Sequence, residues 1–165
     1  MNLFQVKSKS TCSGLAVRFS RVRRIEELGA YFRLFCELSP GLSFDDYLMR
    51  MQKAMAQKYR LIRCDYQGET VCLAGFRFLD TLSWGHILFV DDLVTAPERR
   101  SLGFGGLMIE RLQLIAQRCR CSQIQLESDL RRERAHAFYQ KHGFRVNCFR
   151  FVRDSWVSET RYGAF

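Results

Sequence analysis

The segment Ile87-Leu88-Phe89-Val90 constrains the fold more than any other stretch of the chain. A continuous apolar run of strand formers suits a strand covered on both faces, in the middle of a sheet with helices packed against it. The residues downstream of it narrow the architecture further. From about Gly103 to Cys119 the sequence has helical periodicity, with Met108, Leu112 and Ile115 on one face, and a strand comes next around Gln123 to Glu127. Strand, helix, strand implies a parallel crossover.

The flanking segments supply the rest of a layered fold. Tyr59 to Tyr66 and Thr70 to Leu79 are rich in strand formers and separated by Gln67-Gly68-Glu69, the pattern of an antiparallel hairpin, and the central strand spans about His86 to Thr95. Upstream, Ile25, Leu28, Phe32, Phe35 and Cys36 have helical spacing, which predicts a helix over roughly 24–38 that Pro40-Gly41 stops. Ser43 can cap a second helix with Asp45 and Asp46 in its first turn and a core stripe of Leu48, Met51 and Met55. A strand near Leu15 to Val22 precedes them, and residues 1–14 read as a flexible lead-in. A last helix from about Arg132 to His142 ends at Gly143, Phe144 to Val152 forms another strand, and the aromatic tail Ser155 to Phe165 packs as a final strand or meets a second subunit. The expectation is an α/β (α+β) fold, one domain over 15–165, with a mixed sheet of six to seven strands flanked by about four helices.

Composition bounds the functional classes. A chain of 165 residues fits one domain with a sizeable core. Lys and Arg outnumber Asp and Glu by 26 to 17, and the resulting charge of +9 favours anionic partners: a phosphorylated cofactor, nucleic acid or an acidic surface. The seven cysteines, Cys12, Cys36, Cys64, Cys72, Cys119, Cys121 and Cys148, lack the spacing of a disulfide framework or a zinc site, which points to reduced thiols in a cytoplasm. The N-terminus has no signal-peptide run, and no stretch has the length and apolarity of a membrane span. His86, His136 and His142 form no metal-ligand pattern and read as surface or packing residues, as does Cys119-x-Cys121.

The sharpest chemical signal lies in the turn Arg100-Ser101-Leu102-Gly103-Phe104-Gly105-Gly106. Its glycines let backbone amides approach a ligand that side chains would block, and amides at a helix start favour phosphate. No Lys-Ser or Lys-Thr comes after it, as a nucleotide-hydrolysing loop requires, and the third glycine of a dinucleotide fingerprint is missing.

Here the chain resembles the GCN5-related N-acetyltransferase superfamily. Asp92-Leu93-Val94-Thr95-Ala96-Pro97-Glu98-Arg99-Arg100-Ser101-Leu102-Gly103-Phe104-Gly105 looks like its strand-four and coenzyme-loop motif. Downstream, Arg134-Ala135-His136-Ala137-Phe138-Tyr139-Gln140-Lys141-His142-Gly143-Phe144 resembles its Ala-x-x-x-Tyr-x-x-x-Gly-Phe signature. The resemblance implies transfer of acetyl from acetyl-coenzyme A to a primary amine and a sheet that splays beside the coenzyme turn. It gives Leu93, Val94 and Thr95 backbone contacts with the acetyl-pantetheine arm, and Arg100 through Gly106, including Ser101, Leu102, Phe104 and Gly105, the pyrophosphate, to which Arg99 and Arg100 add charge. Arg132, Ala135 and Phe138 would complete the coenzyme site. Arg132 stands where many relatives have an asparagine, which departs from the pattern, although arginine can reach phosphate.

Direct transfer needs a neutral amine, a donor for the developing oxyanion and an acid for the departing thiolate. By the resemblance, Tyr139 is the candidate acid. Asp91 and Asp92 are the candidate bases, with Glu127 in reserve. Strand alternation sends the two aspartates to opposite faces, so one faces the site while the other pairs structurally. The Arg131-Arg132-Glu133-Arg134 stretch reads as a solvated helix start or as a contact for the coenzyme 3′-phosphate. The acceptor is left open among small molecules, peptides and proteins, and the chain could be a monomer or a homodimer. The competing reading is a nucleic-acid-binding module using Arg18, Arg21, Arg23 and Arg24, or an acetyltransferase for aminoacyl groups carried on RNA.

Overall fold

The computed structural model describes residues 6–9, for their backbone, and residues 16–154. The fold class is the mixed α/β one expected. Six strands form one sheet in the order β1 (Val6–Lys9), β2 (Ala16–Val22), β3 (Arg60–Tyr66), β4 (Glu69–Thr81), β5 (Gly85–Thr95) and β6 (Gln123–Leu126). All neighbours are antiparallel except β5 and β6, the parallel pair that the crossover implied. The chain forms two compact units, Met1–Glu127 and Ser128–Phe165, and the whole sheet belongs to the first.

Local chemistry explains most element boundaries. Gln67 and Gly68, both with positive φ, close a tight hairpin in which Tyr66 opposes Glu69. Helix α2 (Phe44–Ala56) starts at Ser43, whose side-chain oxygen accepts from the Asp46 amide at 3.2 Å. The predicted helix over 24–38 is instead a 3-10 helix, Ile25–Tyr31, leading into a one-turn helix α1 (Phe32–Cys36). Its buried residues are Leu28, Tyr31 and Phe35; of the positions with helical spacing, Leu28 and Phe35 are buried and Phe32 and Cys36 half-buried, whereas Ile25 is exposed. The tighter winding reflects tertiary demand: this short segment must turn those three residues onto the sheet within two linked pieces.

Two cores sandwich the sheet. On one face Val22, Leu28, Tyr31, Phe35, Tyr47, Met51, Tyr59, Leu61, Leu73 and Val94 form a buried cluster. On the other lies α3 (Phe104–Arg118), whose Met108, Leu112 and Ile115 are buried as its periodicity required. Arg111 of this helix sits over the Phe19 ring, which points away from the Val22 face by strand alternation.

Three expectations need correction. Val6–Lys9, read as part of a flexible lead-in, is an edge strand paired with β2, because Val6 lies opposite Phe19 and Ser8 opposite Val17 in register. Phe144 to Val152, read as a strand, has no strand pairing, and Val146, Phe149, Phe151 and Val152 are exposed. Its alternating composition satisfies the strand pattern, but no strand among the described residues takes up its backbone groups. Asp91 and Asp92 do not obey alternation, for a reason that belongs to the site. The tail from Ser155 onward lies outside the described residues.

Candidate active site

Strand β5 has two different edges. Toward β4 it is paired from Gly85 to Thr95. Toward β6 it is paired only from Ile87 to Val90. Beyond Val90 no described strand takes that edge, so the sheet opens where Leu93, Val94 and Thr95 lie. Only Val94 of the three is fully buried, and the Thr95 hydroxyl donates to Cys72 Sγ at 3.4 Å.

The chain then runs through a short 3-10 turn, Pro97–Arg99, into α3. Ser101 (φ 63°) and Gly103 (φ 93°) both take left-handed backbone, and Gly103 is the N-cap residue of α3. No side chain caps this helix, and no acidic residue occupies its first turn. The amides and dipole of its first turn are therefore available to an anion. Phe104 anchors the turn from below, buried with its ring 5.2 Å from that of Tyr66, while Leu102 is exposed. The two arginines beside the turn are held by carboxylates: Arg99 by Glu69 (3.1 Å) and Arg100 by Glu37 (2.8 Å), with Arg100 Nε also donating to the Thr95 carbonyl at 3.3 Å.

The aspartates occupy a β-bulge. Gly75 opposes Asp92 and Phe76 opposes Val90, which leaves Asp91 as the extra residue. The bulge cancels the alternation that would separate the two side chains. Asp91 forms an ion pair with Arg77, and Asp92 Oδ2 accepts a hydrogen bond of 2.6 Å from the Tyr59 hydroxyl. Arg77 and Gly75 lie two apart on β4, so both carboxylates turn to the same face of the sheet. Burial, the largest influence, pushes the Asp92 carboxyl above its ordinary value; the Tyr59 bond opposes this, Asp91 adds to it and Arg77 opposes it. Burial also drives the Tyr59 phenol well above its ordinary value, so that it stays protonated and donates.

Residues 26–144 match the profile of the Acetyltransferase (GNAT) family. The chain belongs to that family. As a member it is an acetyl-CoA-dependent N-acetyltransferase. It is 27% identical over 128 residues to the uncharacterized N-acetyltransferase YhdJ of Bacillus subtilis (strain 168), covering 76% of this chain and 90% of that one. Among solved structures it is similar to aminoglycoside N-acetyltransferase AAC(6′)-Iy in complex with CoA, with a TM-score of 0.73 and 15% identity over 89% of this chain and 100% of that one. It is likewise similar to ribosomal-protein-alanine N-acetyltransferase from Brucella melitensis biovar Abortus 2308, with a TM-score of 0.72 and 16% identity over 84% and 99% of the two chains. These identities carry the fold alone.

The remaining candidates of this acetyltransferase are carried by other elements. Helix α4 (Glu133–Lys141) is in the second unit and carries Ala135, Phe138 and Tyr139, all half-buried, while its N-cap residue Arg132 is exposed. Tyr139 packs edge-on against Phe144, with centroids 5.7 Å apart. Glu127 is exposed directly after β6. His86 pairs with Asp80 (2.7 Å) and stacks on Phe78, and His136 Nε2 meets the Asp129 carbonyl at 2.8 Å, both structural contacts. Among the described residues no cluster of His, Cys, Asp and Glu could hold a metal ion, and no helix is long and apolar enough to cross a membrane. Of the four arginines in the competing reading, Arg21 is half-buried and Arg24 pairs with Glu26.

Sequence reasoning missed Tyr59, Arg77 and Glu37. One signal was available: Gly75 interrupts the apolar strand Val71 to Phe78, and a glycine inside a strand marks a bulge or a close approach.

Proposed function

We propose that this acetyltransferase moves acetyl directly from acetyl-CoA to a primary amine, with Asp92 as the base that takes the amine's proton. The observation that carries this reading is the environment of Asp92. Its carboxylate is withdrawn from water and raised by burial, and it sits on the strand whose open edge leads into the uncapped start of α3. A carboxylate with a raised pKa is a stronger proton acceptor near neutral pH. Asp91 is committed to Arg77 and serves to hold the bulge.

In this reading Leu93, Val94 and Thr95 offer backbone groups on the open edge to the pantetheine arm. The first-turn amides from Gly103 to Gly106 hold the pyrophosphate, and Arg99 and Arg100 exchange their carboxylate partners for phosphate. Bound acetyl-CoA supplies the thioester carbonyl and the thiolate leaving group. Tyr139 gives that thiolate its proton, and Arg132, Ala135 and Phe138 add further coenzyme contacts. The amine class of acceptor is favoured by the relatives named for aminoglycosides and for a ribosomal-protein alanine. The test is a screen of small amines, N-terminal peptides and lysine peptides with acetyl-CoA, reading free thiol. Asp92→Asn is expected to lower turnover by about a hundredfold, within the range of a positioned base. Unchanged turnover in Asp92→Asn would remove Asp92 as the base, and unchanged turnover in Tyr139→Phe would remove Tyr139 as the acid.

A further inference from the structure

Tyr59 reaches Asp92 by crossing a strand. It immediately precedes β3, Asp92 lies on β5, and β4 runs between them. The crossing passes over Gly75, where a Cβ would stand 1.7 Å from the Tyr59 hydroxyl and 2.1 Å from the ring carbon that carries it. Tyr59 therefore occupies the space that any other residue at 75 would fill. The partner of Gly75 across the ladder is Asp92 itself, so the phenol is delivered to the carboxylate by the register of the sheet.

From this geometry we infer that Tyr59, admitted by Gly75, is a positioning residue that fixes the Asp92 carboxylate and keeps it ionised for proton transfer. The inference rests on the reading of Asp92 as the base. A phenol held protonated by burial has a hydrogen to donate, and that donation is stronger to a charged carboxylate than to a neutral carboxyl, so it favours the charged form. The other groups acting on Asp92 are Asp91 on its own strand, which opposes ionisation, and Arg77 on β4, which favours it. Tyr47 of α2 also lies within electrostatic range, but its hydroxyl is spent on the Leu28 carbonyl at 2.9 Å. Tyr59 is thus the hydrogen-bond donor to Asp92 that faces its Oδ2, and one oxygen remains for the amine.

The experiment uses the full chain and two readouts. Carbon-13 NMR of aspartate-labelled protein tracks the Asp92 carboxyl through a pH titration, with Asp92→Asn providing the assignment. Thiol release from acetyl-CoA, with the best amine of the screen and with water alone, gives the pH dependence of the rate. In Tyr59→Phe, which keeps the ring and the packing, the Asp92 midpoint is expected to move to higher pH. The acid limb of the rate moves with it. Below that limb the variant runs about tenfold slower than wild type, the loss expected for one hydrogen bond to a charged group, while the KM for acetyl-CoA stays unchanged. An unmoved midpoint overturns the inference, as does a midpoint that moves without the rate limb. If Asp92→Asn retains full turnover, the base reading fails on its own, and the positioning inference fails with it whatever Tyr59→Phe does.

Discussion

At the start of α3 a glycine is required by its backbone, and at the crossing beneath Asp92 a glycine is required by its surroundings. Gly103 has a left-handed φ of 93°, yet a Cβ there would meet nothing within 4 Å. Gly75 carries no such dihedral restriction, yet a Cβ there would collide with Tyr59. The first vacancy is open space beside the turn, and the second is filled by the protein. In the proposed function, a missing side chain would serve the donor half of the reaction through local conformation, and the acceptor half through tertiary packing.

The contrast between the two glycines is tested most severely at Gly75. Gly75→Ala is expected to lower stability by about 3 kcal/mol, the upper end for overpacking, because the colliding ring is buried and its hydroxyl is hydrogen-bonded. Thermal melts of Gly75→Ala and of Gly75→Ala combined with Tyr59→Ala decide the cause. Removing the ring should make the added methyl nearly harmless relative to Tyr59→Ala alone. A methyl that costs as much in both backgrounds would show that space is not what requires Gly75.

Gly103→Ala should behave in the opposite way, since no neighbour can be trimmed to relieve a strained φ. A cost of about 1 kcal/mol is expected, with acetyl-CoA affinity falling about tenfold as the turn shifts; calorimetry measures the affinity and melts the stability. Unchanged binding would separate this turn from the coenzyme.

Asp92→Asn probes the stability held at the crossing. The folded-state pKa of Asp92 is raised, so below the unfolded carboxylate value the native state suffers nothing from this group. As pH rises from there through the folded value the native state holds the proton more tightly than the unfolded chain, and stability is progressively lost. Asp92→Asn is therefore expected to melt a few degrees higher than wild type near neutral pH, with the gain vanishing in acid. A gain that persists unchanged in acid would assign it to packing.

The smallest effects belong to the arginines beside the turn. Glu37→Gln removes a half-exposed partner of Arg100 and should change stability by less than about 1 kcal/mol. If the carboxylate competes with phosphate, that variant binds acetyl-CoA about twofold to threefold tighter, and Arg100→Ala binds it more weakly; a shift in the same direction for both would exclude the exchange.

Legibility in the sequence depended on the range of the forces involved. The strand Ile87 to Val90, the cap at Ser43, the hairpin at Gln67-Gly68 and the start of α3 depend on neighbours in the chain, and each was readable from periodicity or from one residue type. The helix over 24–38 was readable in Leu28 and Phe35 but not in Tyr31 or in its winding, which packing decides. The bulge at Asp91 was not readable, because strand alternation gives no warning that one residue is extra. The Tyr59 crossing joins residues 33 positions apart across an intervening strand, and only the register between β3, β4 and β5 brings them together. For the candidate site, the sequence motifs pointed to the glycine turn and to both aspartates as candidates. The partners that tell the two aspartates apart, Arg77 and Tyr59, came from the fold.

The stretch of β5 past Val90, paired toward β4 and open toward β6, also governs how the protein behaves in solution. Backbone groups on a strand edge that no neighbouring strand pairs can template an extended chain, including another copy of this one. A ligand lying along that edge would act as a shield as well as a substrate. Concentrated protein is accordingly expected to self-associate less when saturated with coenzyme A, and light scattering with and without it measures how far the ligand guards the protein against its own kind.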